Sequence, residues 1–304
     1  MGIIEQATKR LEQLRRAGVD VPWTAAGLPE ERFNAMLRGE GVAPSPVAAV
    51  QGTPELPPAA PPRLSREVHL DLERLAAMGY LVPGAVRSNL ALDFRHIKRA
   101  LLKTAQELAQ QTSRRASLIM VTSAVAGEGK TFCAVNLAMS IAMEVDTSVL
   151  LVDADVVRPS VTERLGIDAD RGLLDVLNDP RIDLADVMLR TNVPKLSLLP
   201  AGTPNTRSTE LLSSAAMDRL LADLATRYAD RVIVFDAPPL LLTAESRVLA
   251  SRVGQVLVVV DSTRTTTAQV EEAFTAVESV PAVSSILNRT AASDAYSAYD
   301  AYAT

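Results

Sequence analysis

The sequence has very little cysteine, few aromatic residues and no long apolar run. Cys133 is the only cysteine among 304 residues, so no disulfide can form within the chain, as is typical of proteins from a reducing compartment. No stretch of about 18 consecutive apolar residues is present, which argues against a transmembrane helix. The opening residues MGIIEQATKR lack the apolar core of a signal peptide. Together these absences predict a soluble, cytoplasmic protein.

An excess of positive charge is also missing. The formal net charge is −5 at pH 7, and no nucleic-acid partner is expected, because such binding relies on clustered lysine and arginine. The hydrophobic fraction of 48% is large enough to build a sizeable core. Only five tyrosines occur, yet Tyr296, Tyr299 and Tyr302 fall within the last nine residues. This cluster needs an explanation from the rest of the sequence.

The composition divides the chain into four parts. These are an amphipathic helix over 1–20, a Pro-rich linker with a short helix over 21–62, an α/β domain over 63–290 that begins with helices over 63–115, and a flexible tail over 291–304. Residues 3–16 place apolar side chains at helical spacing opposite a charged face. This helix could dock on a partner, pack on its own domain or lie on a membrane surface. Residues 43–62 contain seven prolines, which is typical of a spacer.

Short apolar runs begin near residue 116 and alternate with amphipathic segments. Six such runs occupy residues 118–123, 148–154, 196–201, 231–237, 255–261 and 283–288. β-Branched runs that are bounded by turns and separated by helices are typical of βαβ units. The strands of such units are buried on both faces of the sheet. We therefore predict an α/β fold with a mostly parallel sheet and helices on both faces.

A glycine-rich loop follows the first of these runs. It reads Ala124-Val125-Ala126-Gly127-Glu128-Gly129-Lys130-Thr131 and precedes the helical segment FCAVNLAMSIAME. The glycines allow backbone N–H groups to turn toward phosphate oxygens, and the helix N-terminus adds partial positive charge. In this pattern the lysine bridges the β- and γ-phosphates and the threonine hydroxyl ligates Mg²⁺. The fold is therefore predicted to be that of a P-loop NTPase. The predicted nucleotide-binding residues are Ala126, Gly127, Glu128, Gly129, Lys130, Thr131 and Phe132.

Aspartates close two further apolar runs. Asp153 and Asp155 lie at the end of the second run, and Asp236 lies near the end of the fourth. The carboxyl ends of parallel strands meet at the ligand crevice, so these carboxylates can converge on one Mg·ATP. Aspartates also cap helices, and this turn chemistry is the alternative. Burying Asp236 at the end of an apolar strand would be costly without a cation or hydrogen bonds.

The last apolar run closes with Asn288 and Arg289. An asparagine at this edge could form a hydrogen bond with the edge of a nucleotide base. The alternative is an asparagine that only forms a turn. Both residues are included among the candidate nucleotide contacts.

The motifs SAVAGEGKT, LLVDADVVRP and VIVFDAPP together resemble those of the bacterial tyrosine kinases. This resemblance covers about residues 65–304 and includes the terminal tyrosine cluster. The segments FRHIKRALL, LRTNVPKLSLLPAG and TAESRVLAS, with IIEQATKRL at the start, are similar to a narrower group, the exosortase-A-associated tyrosine autokinases. That group is linked to exopolysaccharide biosynthesis and export beside a separate membrane chain-length protein.

The resemblance implies a non-specific protein-tyrosine kinase that uses ATP and Mg²⁺. Lys130 would bind the phosphates, and Thr131, Asp155 and Asp236 would form the metal site. Asp153 would be either the base for the tyrosine hydroxyl or a further group of the metal shell. The phosphate acceptors would be Tyr296, Tyr299 and Tyr302. The Ala, Ser and Asp residues between them are typical of an unstructured, soluble tail.

The resemblance also implies partners. The activator would be the cytoplasmic segment of a membrane polysaccharide chain-length protein, which would bring the chain to the inner membrane. A cognate tyrosine phosphatase would reverse the modification. A homo-oligomer would form through the helix at 90–103 and the tail, with Arg95 and Lys98 at the family's contact motif. Leu92 stands where that motif has glutamate.

Other positions depart from the family pattern. Val157 replaces the first arginine after the paired aspartates, so that only Arg158 remains, and Ala126 replaces a frequent proline. An ATP-driven positioning switch of the partition type is the alternative function, but Val125 stands where those proteins carry a second lysine. A catalytically weak regulatory subunit is a third hypothesis. Under the positioning-switch hypothesis the terminal tyrosines would be incidental.

Overall fold

A computed structural model describes residues 66–84, 88–111 and 115–290. All of these residues belong to one compact unit within residues 60–304. The predicted N-terminal helix, Pro-rich linker and tyrosine tail lie outside the described residues. Their boundaries remain predictions.

Eight strands and ten helices make up the described part of the chain. The strands are β1 (Arg66–Val68), β2 (Leu118–Ser123), β3 (Ser148–Asp153), β4 (Leu189–Thr191), β5 (Leu196–Leu199), β6 (Arg231–Asp236), β7 (Gln255–Asp261) and β8 (Ala282–Asn288). The helices are α1 (Leu72–Ala77), α2 (Asn89–Gln110), α3 (Lys130–Ala142), α4 (Val161–Leu165), α5 (Leu173–Asn178), α6 (Leu184–Val187), α7 (Ser208–Leu212), α8 (Ala215–Arg227), α9 (Ala244–Ala250) and α10 (Thr267–Thr275). Within the described ranges, no helix is long and apolar enough to span a bilayer.

The strands form one sheet in the order β1-β4-β5-β3-β6-β2-β7-β8. Every neighbouring pair is parallel except β4 and β5. All six apolar runs singled out in the sequence are strands of this sheet. The prediction of a mostly parallel α/β fold is therefore confirmed.

Side chains of β2 alternate between two apolar clusters on opposite faces of the sheet. Leu118 and Met120 belong to one cluster, and Ile119 and Val121 belong to the other, because successive side chains of a strand point to opposite faces. The first cluster includes side chains of α5 and α8, and the second includes side chains of α2 and α3. Helices thus cover both faces, as predicted.

The leading segment differs from its prediction in one place. The stretch 63–115 is expected to be helical, and α1 and α2 do lie in it, but Arg66–Val68 forms strand β1. This strand pairs with β4, with Glu67 opposite Arg190. Both strands have three residues, which is too short for alternation to be recognised in the sequence. The sequence therefore gives no sign of this edge of the sheet.

A buried lysine joins α2 to the end of α3. Lys98 is only 6% exposed, and its Nζ donates to the Ser140 carbonyl at 3.0 Å and forms an ion pair with Glu144. The hydrogen bond from this lysine holds the pKa of the Glu144 carboxyl below its ordinary value. The resemblance assigns Lys98 to an oligomer contact together with Arg95. In the structure Lys98 binds groups of its own domain, whereas Arg95 is exposed.

We expect Lys98→Ala to lower the free energy of unfolding by about 1–3 kcal/mol, because the buried Ser140 carbonyl loses its donor. Arg95→Ala, on the exposed side of the same helix, is the matched control and should change stability by less than about 0.5 kcal/mol. Urea unfolding of the two variants measures the difference. Equal stabilities would show that the Lys98 contacts contribute nothing.

Candidate functional site

The carboxyl ends of the central strands open into a cleft of about 820 Å³. The glycine-rich loop lies between β2 and α3, and residues that follow β3, β6 and β8 complete the cleft. Among the lining residues are Gly127, Lys130, Thr131, Asp155, Asn288 and Arg289. The structure thus brings together the loop and residues from three other strand ends, as the sequence predicted.

Two glycines of the loop adopt left-handed backbone conformations that other residues avoid. Gly127 has φ of 86° and Gly129 has φ of 96°. A Cβ on Gly129 would also lie 2.2 Å from Nδ2 of Asn288. The left-handed backbone therefore favours glycine at this position, and a side chain there would displace the Asn288 amide.

Glu128 holds this loop from inside the protein. The side chain is 2% exposed, and its Oε2 accepts a hydrogen bond from the Val125 N–H at 2.6 Å. Its Oε1 accepts from the Asp261 N–H at 3.2 Å and from the Thr265 hydroxyl. Glu128 was predicted as a nucleotide contact, but its carboxylate points away from the cleft. Only its backbone remains available for that contact.

Lys130 lies among the predicted carboxylates. Its Nζ is 2.6 Å from Oδ2 of Asp155 and 3.6 Å from Oδ1 of Asp236. The Thr131 hydroxyl donates to Oδ2 of Asp236 at 2.7 Å and lies 3.1 Å from Oγ of Ser160. All four predicted residues therefore meet at one point. Ser160 is an addition that no sequence signal indicated.

Asp153 lies beside this group and is fully buried. Its Oδ2 accepts hydrogen bonds from the backbone N–H groups of Ser160 and Val161, at 3.1 and 3.0 Å. These bonds satisfy donors at the start of α4, so the helix-capping alternative does describe this side chain. Its Oδ1 accepts no hydrogen bond from the described residues.

Burial sets the protonation of the site. It raises the pKa of Asp153 to about 7, and the charge of Asp236 adds to the rise. Burial also raises the pKa of Asp236 to about 6, against the opposing charge of Lys130. For Lys130 burial lowers the pKa, but the carboxylates of Asp236 and Asp155 outweigh it and leave the pKa above its ordinary value. The lysine stays charged at neutral pH, whereas two of the carboxylates titrate near it.

The oxygen-rich cluster fits Mg²⁺. Buried Oδ1 atoms of Asp153 and Asp236 have no hydrogen-bond partner within the described ranges, so they can bind a cation or its waters. The described residues contain no group of three or more His, Cys, Asp or Glu arranged to hold a metal. Mg²⁺ is usually held by one or two carboxylates together with substrate phosphates. The site therefore fits a magnesium–nucleotide complex, with Thr131, Asp155 and Asp236 as its predicted ligands.

The last residue of β8 and the residue after it are tied to the loop and to β7. Asn288 donates from Nδ2 to the Glu128 carbonyl at 2.8 Å, and its Oδ1 accepts from the Arg289 N–H at 2.9 Å. Arg289 has φ of 59° and forms an ion pair with the buried Asp261. Hydrogen bonds from Thr263 and the contact with Arg289 hold the pKa of Asp261 low. Asn288 therefore positions the loop and turns the chain, and a contact with a base stays a prediction.

The remaining predicted residues fall into two groups. Phe132 and Ala126 line the cleft, and the Phe132 ring lies 5.1 Å from the ring of Tyr80. Tyr296, Tyr299 and Tyr302 lie outside the described residues. Their role as acceptors stays a prediction.

Gly129→Ala should weaken nucleotide binding, because a residue with a Cβ is strained at a φ of 96° and the new Cβ would displace the Asn288 amide from the Glu128 carbonyl. Gly79→Ala is the matched control, since Gly79 has φ of 82° but an added Cβ there would meet no atom within 4 Å. The control should lose about 1–2 kcal/mol of stability and still bind ATP. Isothermal titration with ATP measures both variants. Unaltered ATP binding by Gly129→Ala would show that the loop does not depend on this glycine or on the Asn288 contact.

Asp153→Asn should stabilise the nucleotide-free protein at pH 8. The pKa of Asp153 is raised to about 7 in the folded state, so between about pH 4 and 7 the folded state binds more protons than the unfolded chain. The free energy of unfolding therefore falls as the pH rises through this range. The amide oxygen can still accept both N–H bonds but carries no charge. We expect the Tm to rise by roughly 2–4 °C or more at pH 8 and to gain nothing at pH 4.

Differential scanning calorimetry across this pH range tests the expectation. Asp168→Asn, at an exposed position, is the control and should follow the parent protein at every pH. A loss of stability by Asp153→Asn at pH 8 would show that the charged form is favoured in the fold.

Comparison with known proteins agrees with this site. An AAA domain family model matches residues 116–288, more than half of the chain. The EpsB putative tyrosine-protein kinase of Ralstonia nicotianae is 34% identical over 171 residues, which are 56% of this chain and 22% of EpsB. The YwqD tyrosine-protein kinase of Bacillus subtilis is 31% identical over 160 residues, which are 53% of this chain and 66% of YwqD. The matched segment is thus only about a fifth of the length of EpsB.

Solved structures show the same relationship. The crystal structure of the VpsO kinase domain is 35% identical, with a TM-score of 0.54, and the match covers 66% of this chain and 97% of that domain. The kinase domain of the Escherichia coli tyrosine kinase ETK shares the fold at 24% identity, with a TM-score of 0.55 and 77% of this chain covered. The chain therefore belongs to the AAA domain family that matches it and, within that family, to the bacterial tyrosine kinases.

Proposed function

We propose that this chain is an ATP-dependent tyrosine autokinase whose acceptors are Tyr296, Tyr299 and Tyr302 in its own C-terminal tail. The observation that carries the proposal is the position of Lys130, whose ammonium lies between Asp155 and Asp236 beside a phosphate-binding loop. Relatives that are named tyrosine-protein kinases share this part of the chain. A tyrosine cluster in an aromatic-poor sequence supplies a substrate.

The described residues can perform the transfer mainly by positioning and by balancing charge. The Oη of a tyrosine would form a bond to the γ-phosphorus, the bond from this phosphorus to the β,γ-bridging oxygen would break, and ADP would leave. On nucleotide binding, the Lys130 ammonium would leave the carboxylate of Asp155 and contact the phosphates instead. The Thr131 hydroxyl would stay beside Asp236. Thr131, Asp155 and Asp236 would hold Mg²⁺, which would supply positive charge to offset that of the phosphates.

The phenolic proton would pass to one of the aspartates at the end of β3. The raised pKa of Asp153, about 7, suits a base near neutral pH. Asp153 is fully buried, however, whereas Asp155 lines the cleft. Under the proposal Asp155 is the carboxylate nearest an entering phenol, and Asp153 receives the proton through Asp155 or water, or completes the metal shell.

The partners follow from the same proposal. The stretches that resemble the exosortase-A-associated autokinases favour a role in exopolysaccharide polymerisation and export. The activator would be the cytoplasmic segment of a membrane chain-length protein, and a cognate phosphatase would remove the phosphates. The chain would then act in the cytoplasm at the inner membrane. A homo-oligomer through residues 90–103 and the tail would have to use the exposed side of α2, because Lys98 is buried.

Incubation with Mg·ATP should place phosphate on the tail, and Lys130→Ala should abolish it. The variant loses the cation that positions the phosphates, so we expect at least a roughly 100-fold loss of rate. Mass spectrometry of the C-terminal peptide measures the phosphate on each tyrosine. The assay is run with and without the cytoplasmic segment of the chain-length partner.

Removing Lys130 also leaves Asp155 and Asp236 without their cation, so a second variant keeps the site intact. The triple change Tyr296→Phe, Tyr299→Phe and Tyr302→Phe should bind ATP normally and take up no phosphate. Arg219→Ala, at an exposed cation of α8 outside the cleft and the 90–103 helix, is the control for Lys130→Ala. An unphosphorylated tail in the parent protein, with ATP bound or hydrolysed under both conditions, would contradict the kinase and favour the ATPase switch.

A further inference from the structure

We propose that the rim of the cleft carries an acceptor subsite that recognises the tripeptide Asp-Ala-Tyr. Arg158 and Arg164 would bind the aspartate, and Val157 and Leu242 would contact the tyrosine ring. The occupant is the tail of this chain, over residues 294–302. This inference rests on the proposed kinase function and adds the basis on which the acceptor is chosen.

The first observation is an apolar surface at the mouth of a polar site. Val157 is 53% exposed and Leu242 is 61% exposed, and both line the cleft together with Pro238 and Pro239. Single exposed apolar residues are common on protein surfaces. Here two of them face the cavity that holds Lys130, where an aromatic ring must enter if a tyrosine is the acceptor. Covering them with a ring would remove apolar surface from water.

The second observation is positive charge without a carboxylate partner. Arg158 and Arg164 are exposed and line the same cleft. The Arg158 N–H donates to Oδ1 of Asp155 at 3.1 Å, which fixes its backbone, and Nη1 of Arg164 donates to the Tyr80 hydroxyl at 3.3 Å. Neither guanidinium forms an ion pair within the described ranges. The rim therefore offers two cations to an incoming acidic group.

The third observation is a short repeat in the tail. Asp-Ala-Tyr occurs at residues 294–296 and again at 300–302, whereas Tyr299 follows Ser297-Ala298. In an extended segment, residues two apart point to the same side and lie about 6.6–6.8 Å apart. An aspartate two positions before a tyrosine would thus face the rim whenever the tyrosine enters the cleft. Two of the three acceptors carry the recognition element, and the third does not.

The subsite predicts an order of labelling in the full-length protein. Tyr296 and Tyr302 should gain phosphate about 3- to 10-fold faster than Tyr299, as expected for the gain of one charge-assisted contact. Ser297→Asp should bring Tyr299 to the rate of the others. Time-resolved mass spectrometry of the tail gives the rate for each tyrosine. Equal initial rates for all three residues would overturn the proposal.

Synthetic peptides test recognition of the aspartate without the tether that brings the tail to the cleft. The enzyme is the full chain with its three tail tyrosines changed to phenylalanine, and the substrates are peptides of residues 291–304 that each keep one tyrosine. In the Tyr296 and Tyr302 peptides, changing the aspartate two positions before the tyrosine to asparagine should raise the KM about 3- to 10-fold, with kcat nearly unchanged. The difference should shrink in high salt, because exposed charges are screened.

Enzyme variants assign the effect to the rim. Arg164→Gln and Arg158→Gln should each raise the KM for aspartate peptides and leave it unchanged for asparagine peptides, with the KM for ATP unaltered. The subsite proposal would be wrong if the arginine variants raised the KM equally for both kinds of peptide, or if the parent enzyme had the same KM for both. Either result would leave the kinase proposal intact. Failure to phosphorylate any peptide, with ATP bound, would remove the kinase proposal and the subsite with it.

Discussion

Carboxylates buried at the ends of neighbouring strands are the constraint on which the site depends. Asp153 and Asp236 occupy paired positions of β3 and β6, so the sheet itself places two acidic groups side by side away from water. Such an arrangement is costly without a cation. Lys130 supplies it, and the glycine-rich loop, the start of α3 and the Thr131 hydroxyl all hold that cation in place. The loop that would bind phosphate thus also provides, through Lys130, the positive charge that balances the carboxylates at the strand ends.

Much of this could be predicted from residue types and spacing. Long apolar strands and a glycine-rich turn followed by Lys130 and Thr131 are local signals, and parallel strand ends are known to converge. The prediction was incomplete where a feature depends on contacts between distant residues. Strands β1 and β4 are too short to show a pattern. Ser160 looks like an ordinary loop serine in the sequence, and only folding brings it to Thr131.

Two predicted residues differ in how their side chains relate to the site. Asp153 caps the start of α4, which the sequence offered as an alternative to a role in the site. The structure places a capping carboxylate next to Asp236 and Lys130, so capping and membership of the site occur together. Glu128 is the opposite case. A carboxylate inside a phosphate loop would repel phosphate, and the fold avoids this by turning it toward backbone N–H groups of Val125 and Asp261.

The chain leaves its last strand at the border of the cleft. Asn288 is tied to the phosphate loop, and Arg289 is clamped to Asp261 in a left-handed turn. A segment tethered at such a point experiences an effective concentration on the order of millimolar at nearby sites. Binding at the cleft can then be weak and still be well populated for the tethered segment. The same weakness would leave free proteins with exposed tyrosines largely unbound, so attachment itself can act as a filter against other substrates.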